Sequence, residues 1–227
     1  KPDNTFRIFA VGGSTTFGRG IADTETWPVY LQQIINEKIT DKDIQVINAG
    51  IPQATSGQEY DLIKDKLSSL GPDLIITYDG WNDSIYHDVK TTMQNWEHIC
   101  KLGKDEGFST IIIVQPMAAT GERVLTEQEI VNSSPMWIYL QKFQQYVDGF
   151  KELESCSKTI DFRSIFDYVQ APVFFDRGHT LGLGNKIIAE NVFSTIAPTY
   201  FGKMYESVDS NLQKNESETG VVYAVGS

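Results

Sequence analysis

Phe6-Arg7-Ile8-Phe9-Ala10-Val11 is a short, nearly unbroken apolar run, stopped by Gly12-Gly13 with Ser14 directly behind. A run of that length bounded by glycines reads as a strand buried on both faces, the kind found in the middle of a parallel sheet. The rest of the chain repeats the arrangement. Trp27 to Ile39 carries apolar residues at helical spacing, with Thr26 and Pro28 as start signals. Ile44 to Asn48 is a second strand, and Gln58 to Leu70 a second helix. Asp73 to Tyr78, entered through Gly71-Pro72, is a third strand, followed by a helix over Thr92 to Glu106. Thr110 to Gln115 is a fourth strand, Pro135 to Leu153 a helix, Thr159 to Phe162 a fifth strand, and Leu183 to Phe193 the last helix. Strands alternating with helices predict an α/β fold, a parallel sheet of about five strands covered on both faces. Ligands of such sheets sit beyond the carboxyl ends of the strands, so chemistry should cluster directly after each strand.

Composition narrows the partners. The 227 residues suit one core, and we expect one domain over residues 1–205 followed by a polar tail at 206–227, with Val221 to Val225 as an optional short strand. Thirty acidic against nineteen basic residues leave a net charge of -11, which repels nucleic-acid phosphates and argues against a nucleic-acid partner. No apolar run of about 18 residues spans a membrane. The chain opens on Lys1-Pro2-Asp3-Asn4 without Met or an apolar leader and reads as a processed or trimmed product, with an extracellular or envelope setting favoured. Cys100 and Cys156 leave two readings open, buried thiols or one disulfide. His87, His98 and His179 lack the paired spacing of a zinc site, so no metal is expected.

Four short blocks carry chemistry. Gly12-Gly13-Ser14-Thr15-Thr16-Phe17-Gly18 puts a serine where the first strand ends. Its glycine spacing is that of a phosphate loop, but Arg19-Gly20 stands where Lys-Ser/Thr is required, and Thr16 breaks the nucleophile-elbow pattern. Asn48-Ala49-Gly50 ends the second strand, and Gly50 offers an unhindered backbone N–H. Tyr78-Asp79-Gly80-Trp81-Asn82-Asp83 follows the third, and the Asn82 NH₂ can donate to a developing oxyanion. Asn82-Asp83-Ser84 is also a glycosylation sequon. Asp176-Arg177-Gly178-His179 precedes the last helix, with acid and imidazole close enough to face one cleft. Each block alone would pass as a turn, a strand end or a helix cap; their order and placement carry the signal.

Together the four blocks resemble the SGNH hydrolases, also called GDSL-like lipases and acylhydrolases, over about residues 6–193, and Thr180-Leu181-Gly182-Leu183-Gly184 matches that family's run into its last helix. The resemblance implies a three-layer α/β/α sandwich of flavodoxin-like type. It makes Ser14 the nucleophile, His179 the general base and Asp176 its orienting acid. The oxyanion hole would come from the Ser14 and Gly50 N–H groups and the Asn82 side chain. One departure is that Gly13 and Thr15 stand where the family's name motif has Asp and Leu. The implied activity is hydrolysis of a small-molecule or glycan ester, with a short acyl group on a polar or carbohydrate carrier and no cofactor. An O-acyltransferase using the same residues, or a binding module without catalysis, are the alternatives. Trp81, Tyr86, Trp137 and Tyr139 are candidates to line the cleft, and the long Pro116 to Ser134 connection to shape it.

Overall fold

The computed structural model describes residues 1–132 and 137–202. Five strands, β1 (Thr5–Gly12), β2 (Asp43–Gly50), β3 (Leu74–Asp79), β4 (Ser109–Val114) and β5 (Lys158–Asp161), form one sheet in the order β2-β1-β3-β4-β5. Every neighbouring pair is parallel. Parallel strands need crossovers, and the long ones are α2 (Trp27–Lys38), α3 (Ser56–Leu62), α5 (Val89–Glu106) and α7 (Trp137–Asp148), with α8 (Gly182–Tyr200) closing the fold. Short helices α1 (Ser14–Phe17), α4 (Trp81–Tyr86) and α6 (Glu127–Asn132) sit in the connections after β1, β3 and β4.

The strand residues divide between two cores by the two-residue alternation of a pleated sheet. Ile8, Ala10, Leu74, Ile76, Ile111 and Ile113 pack with Trp27 and Leu31 of α2 and Ile188 and Val192 of α8. Phe9, Val11, Ile75, Ile112 and Val114 point the other way, onto Ile63, Trp96, Ile99 and Phe143. The sheet is therefore covered on both faces, which is why its strands read as continuous apolar runs. This is the three-layer α/β/α arrangement with the flavodoxin-like strand order. Its order reverses between β1 and β3, placing the crevice at their carboxyl ends.

The structure departs from the expected elements in definite places. The helix expected to end at Phe193 continues to Tyr200 and holds Pro198 in its last turn. The expected helix Gln58–Leu70 is three pieces, α3, a π-turn over Ile63–Leu67 and a 3₁₀ turn over Ser68–Leu70. The connection after β4 contains α6, and its residues 133–134 lie outside the described residues, as do the polar tail and the strand at 221–225. Cys100 on α5 and Cys156 before β5 form a disulfide, which resolves the open cysteine reading. No helix among the described residues is long and apolar enough to cross a membrane.

Candidate active site

Ser14 is the first residue of α1, two residues beyond the end of β1, and it is nearly buried. Its Oγ lies 2.7 Å from Nε2 of His179, and Nδ1 of His179 lies 2.8 Å from Oδ2 of Asp176. The other carboxylate oxygen, Oδ1, accepts the backbone N–H groups of Gly178 (3.0 Å) and His179 (2.8 Å). Burial alone would raise the Asp176 pKa, but the hydrogen bond from His179 and those two amides outweigh it and hold the carboxyl below its ordinary value. The acid thus stays ionised and fixes which ring nitrogen carries the proton. Two rings hold the imidazole: Phe175 stacks on it at 5.3 Å and 18°, and Trp81 packs tilted at 4.9 Å.

Asn82, on α4 after β3, is held beside the serine. Its Nδ2 donates to the Ala54 carbonyl at 2.7 Å, which uses one of its two hydrogens and leaves the second available. A side chain at position 13 would press on that amide, since a Cβ built on Gly13 falls 2.5 Å from Asn82 Nδ2. This gives a steric reason for glycine where the family motif has aspartate.

Gly50 needs a correction. Its N–H is committed to Asn48 Oδ1 at 3.0 Å, so the oxyanion donor expected there is already bonded. What its lack of a side chain provides is close approach: a Cβ would collide with the backbone of Thr16 and Phe17 in α1. Asn48 completes the clamp by donating from Nδ2 to the Thr16 carbonyl at 2.9 Å. Sequence reasoning quoted Asn48 without giving it this part. Directly after β2, the Ala54 N–H bonds the Ile51 carbonyl at 3.0 Å across Pro52 and Gln53, and Gln53 has φ 67°. Proline followed by a residue with positive φ is the pattern of a type II turn. The Gln53 N–H lies inside that turn without a backbone partner among the described residues.

Sequence reasoning also missed the two threonines behind the serine. Thr15 donates to Gln115 Oε1 (3.4 Å) just past β4, and Thr16 accepts from Trp27 Nε1 (3.3 Å) at the start of α2, so the two tie α1 to the end of the sheet and to the first long helix. Among the proposed cleft aromatics, Trp81 lines a cleft of about 350 Å³ with Arg19, Asp176, Arg177 and His179. Tyr86 borders a separate groove of about 490 Å³ with Gln53, Thr55, Gln58 and His87. Trp137 and Tyr139 begin α7, and their side chains lie outside the described residues. No cluster of three or more His, Cys, Asp or Glu among the described residues is arranged to hold a metal.

Comparison with known proteins adds a fold and no sequence family. No family profile matches the chain, and no curated protein sequence matches it. Solved structures do match. TesA superposes with a TM-score of 0.63 at 19% identity, covering 85% of this chain and 98% of its own. Axe2, an acetylxylan esterase from Geobacillus stearothermophilus, gives 0.68 at 17% identity over 84% of this chain and 94% of its own. The acetyl xylan esterase AlAXEase gives 0.66 at 18% identity over 84% and 100%. The chain has the fold of the SGNH, or GDSL-like, hydrolases.

Proposed function

We propose that this protein is a serine esterase that cleaves a short acyl group from a polar or carbohydrate carrier. The observation that supports it best is the unbroken chain from Ser14 Oγ through His179 to Asp176, with contacts of 2.7 and 2.8 Å. In this reading Ser14 Oγ attacks the ester carbonyl as its proton passes to Nε2 of His179. The ion pair with Asp176 stabilises the imidazolium so formed. The negative oxygen of the tetrahedral intermediate is met by the Ser14 N–H and the second hydrogen of Asn82 Nδ2. The Gln53 N–H, in the turn whose Ala54 carbonyl holds Asn82, is the third donor in place of Gly50. Collapse expels the carrier as an alcohol, protonated by His179, and leaves the acyl group on Ser14. Water then gives its proton to His179 and releases the acid.

The carrier is the less constrained half. A cleft of about 350 Å³ is at the small end of ligand sites, which run about 300–1,000 Å³, and fits a compact acyl group with one polar ring better than a long chain. The names of Axe2 and AlAXEase as acetylxylan esterases point the same way. The test is hydrolysis of short- and long-chain p-nitrophenyl esters by wild type and Ser14→Ala. Activity on the acetate ester that disappears in the variant supports the proposal, and equal rates from both proteins refute it.

A further inference from the structure

The turn of chain from Trp81 to His87 contributes to two hollows. Trp81 lines the 350 Å³ cleft of His179, while Tyr86 and His87 border the 490 Å³ groove with Gln53, Thr55 and Gln58. Only the first contains a member of the Ser14–His179–Asp176 chain, yet the second begins beside the candidate oxyanion donors. Gln53 and Thr55 flank Ala54, whose carbonyl holds the Asn82 amide at 2.7 Å. A Cβ on Gly13, the residue before Ser14, would lie 3.6 Å from that same carbonyl. The path from Ser14 to the groove is therefore short, through Gly13, the Asn82 amide and Ala54.

The groove's walls select a ligand class. None of the five lining residues is Leu, Ile, Val or Met, and none carries a permanent charge. An acyl chain would find no aliphatic partner there, and a carboxylate or phosphate no fixed cation. What the groove offers are polar groups left over from the fold. Gln58 Oε1 accepts the Thr55 N–H at 3.1 Å in the capping box of α3, so its NH₂ has no partner among the described residues. His87 Nδ1 is fixed on buried Asp83 at 2.9 Å, so Nε2 is the ring nitrogen left unbonded among the described residues. Gln53 has φ 67°, the one non-glycine among the described residues in the left-handed region, where glycine would avoid the strain. Strained backbone of this kind gathers at ligand clamps, and here it keeps a second amide side chain at the groove. Tyr86 is 60% exposed and supplies an aromatic ring beside these groups.

A pyranose unit has the complementary surface, with C–H bonds on its face to pack on an aromatic ring and hydroxyls on its rim to pair with amides and an imidazole. We propose that this groove is a carrier subsite that binds a neutral sugar unit next to the acylated one, its face on Tyr86 and its hydroxyls on Gln53, Gln58 and His87. The inference rests on the esterase reading and narrows its substrate to an acylated oligosaccharide, uncharged at the unit in the groove.

The test compares monoacetylated methyl xyloside and methyl glucoside with monoacetylated xylotriose and cellotriose. We expect kcat/KM for at least one trisaccharide to exceed that of its methyl glycoside by about tenfold or more, mainly through KM, the worth of one or two neutral hydrogen bonds. Two variants then probe the groove. Tyr86→Ala removes the ring, and Gln58→Glu keeps the capping acceptor while removing the NH₂ donors. In both, the preference should fall toward one, while a fluorophosphonate still labels Ser14 and reports a folded site. A wild-type enzyme that cleaves each trisaccharide no better than its methyl glycoside overturns the subsite and leaves the esterase standing. A preference unmoved in both variants also overturns it, as does uptake of the label without cleavage of any of the four sugars. Cleavage of none, with no label on Ser14, removes the esterase reading and this inference together.

Discussion

Asp83 accepts two hydrogen bonds from Ser56, one from its backbone N–H at 2.9 Å and one from its hydroxyl. Asp83 follows Asn82 on α4, and Ser56 opens α3 two residues after Ala54, whose carbonyl fixes the Asn82 amide. The pair therefore sets the distance between the helix that carries the candidate oxyanion donor and the loop that aims it. Asp83 is fully buried and also meets Nδ1 of His87 at 2.9 Å. Asp83→Ala leaves those partners unpaired. We expect a loss of about 1–3 kcal/mol of stability, the cost of leaving buried donors unsatisfied, read from urea denaturation. Its turnover should fall more than its KM rises, because Asn82 loses its register.

Direct removal of the donor is the sharper comparison. Asn82→Ala should lower kcat on p-nitrophenyl acetate by about 10² to 10³, the usual worth of one oxyanion donor, with KM little changed. A kcat within twofold of wild type would take Asn82 out of the mechanism.

Asp176→Asn preserves shape while removing the charge that fixes the imidazole. Steady-state kinetics should show a loss of about 10⁴ in kcat, as expected when the base is held in the wrong tautomer. Because the Asp176 pKa is held low, the acid stays ionised as the pH falls below neutrality. The acid limb of the rate profile should therefore reflect protonation of His179. A rate that does not fall on acidification would remove His179 as the base.

Glu59 makes a different pH prediction. It is buried on α3 with neither carboxylate oxygen hydrogen-bonded among the described residues. Burial first, then the neighbouring Asp79 and Asp83, raise its pKa well above the ordinary value, so the folded protein retains a proton that the unfolded chain sheds. Stability from this site is complete below the ordinary glutamate range and declines as pH rises toward the raised pKa, by about 1.4 kcal/mol per pH unit per retained proton. Glu59→Gln abolishes that decline at this position. Urea denaturation at pH 5 and pH 8 should show the variant gaining on wild type at the higher pH; a constant difference would contradict the assignment.

The Cys100–Cys156 bond closes a segment that contains β4, α6 and α7 across a sequence separation of 56. Loop entropy alone makes such a cross-link worth about 4 kcal/mol, and measured values commonly fall to 2–4. Reduction, or the paired change to alanine, should lower the denaturation midpoint accordingly. Unchanged midpoints with and without reductant would oppose this.

The strands were legible because they are buried on both faces: Ile8 to Val11 and Ile111 to Val114 have almost no exposure and so almost no polar residues to blur the run. The short helices were not. Four residues in α1 and six in α4 are less than two turns, too few to show an amphipathic period. The sequence pattern stops the last helix at Phe193, although its buried residues continue through Ile196 and Ala197. Pro198 lies in the final turn, and a proline in sequence reads as a helix stop although here the helix runs past it to Tyr200. In the site, the four blocks named Ser14, Asn82, Asp176 and His179 because each combines an unusual side chain with a strand end or a helix start. Gly50 was misjudged for a physical reason: a glycine motif does not reveal whether its N–H points to a substrate or, as here, to Asn48.

The sequence separation of 165 between Ser14 and His179 also imposes an order in time. During synthesis Ser14 and its sheet emerge first, and all five strands can pair before the His179 imidazole has left the ribosome. Until the segment ahead of α8 arrives, Ser14 lacks its hydrogen bond to His179. On the proposed esterase reading the growing polypeptide is thus chemically silent toward esters, and activity begins with one of the last packing events of folding.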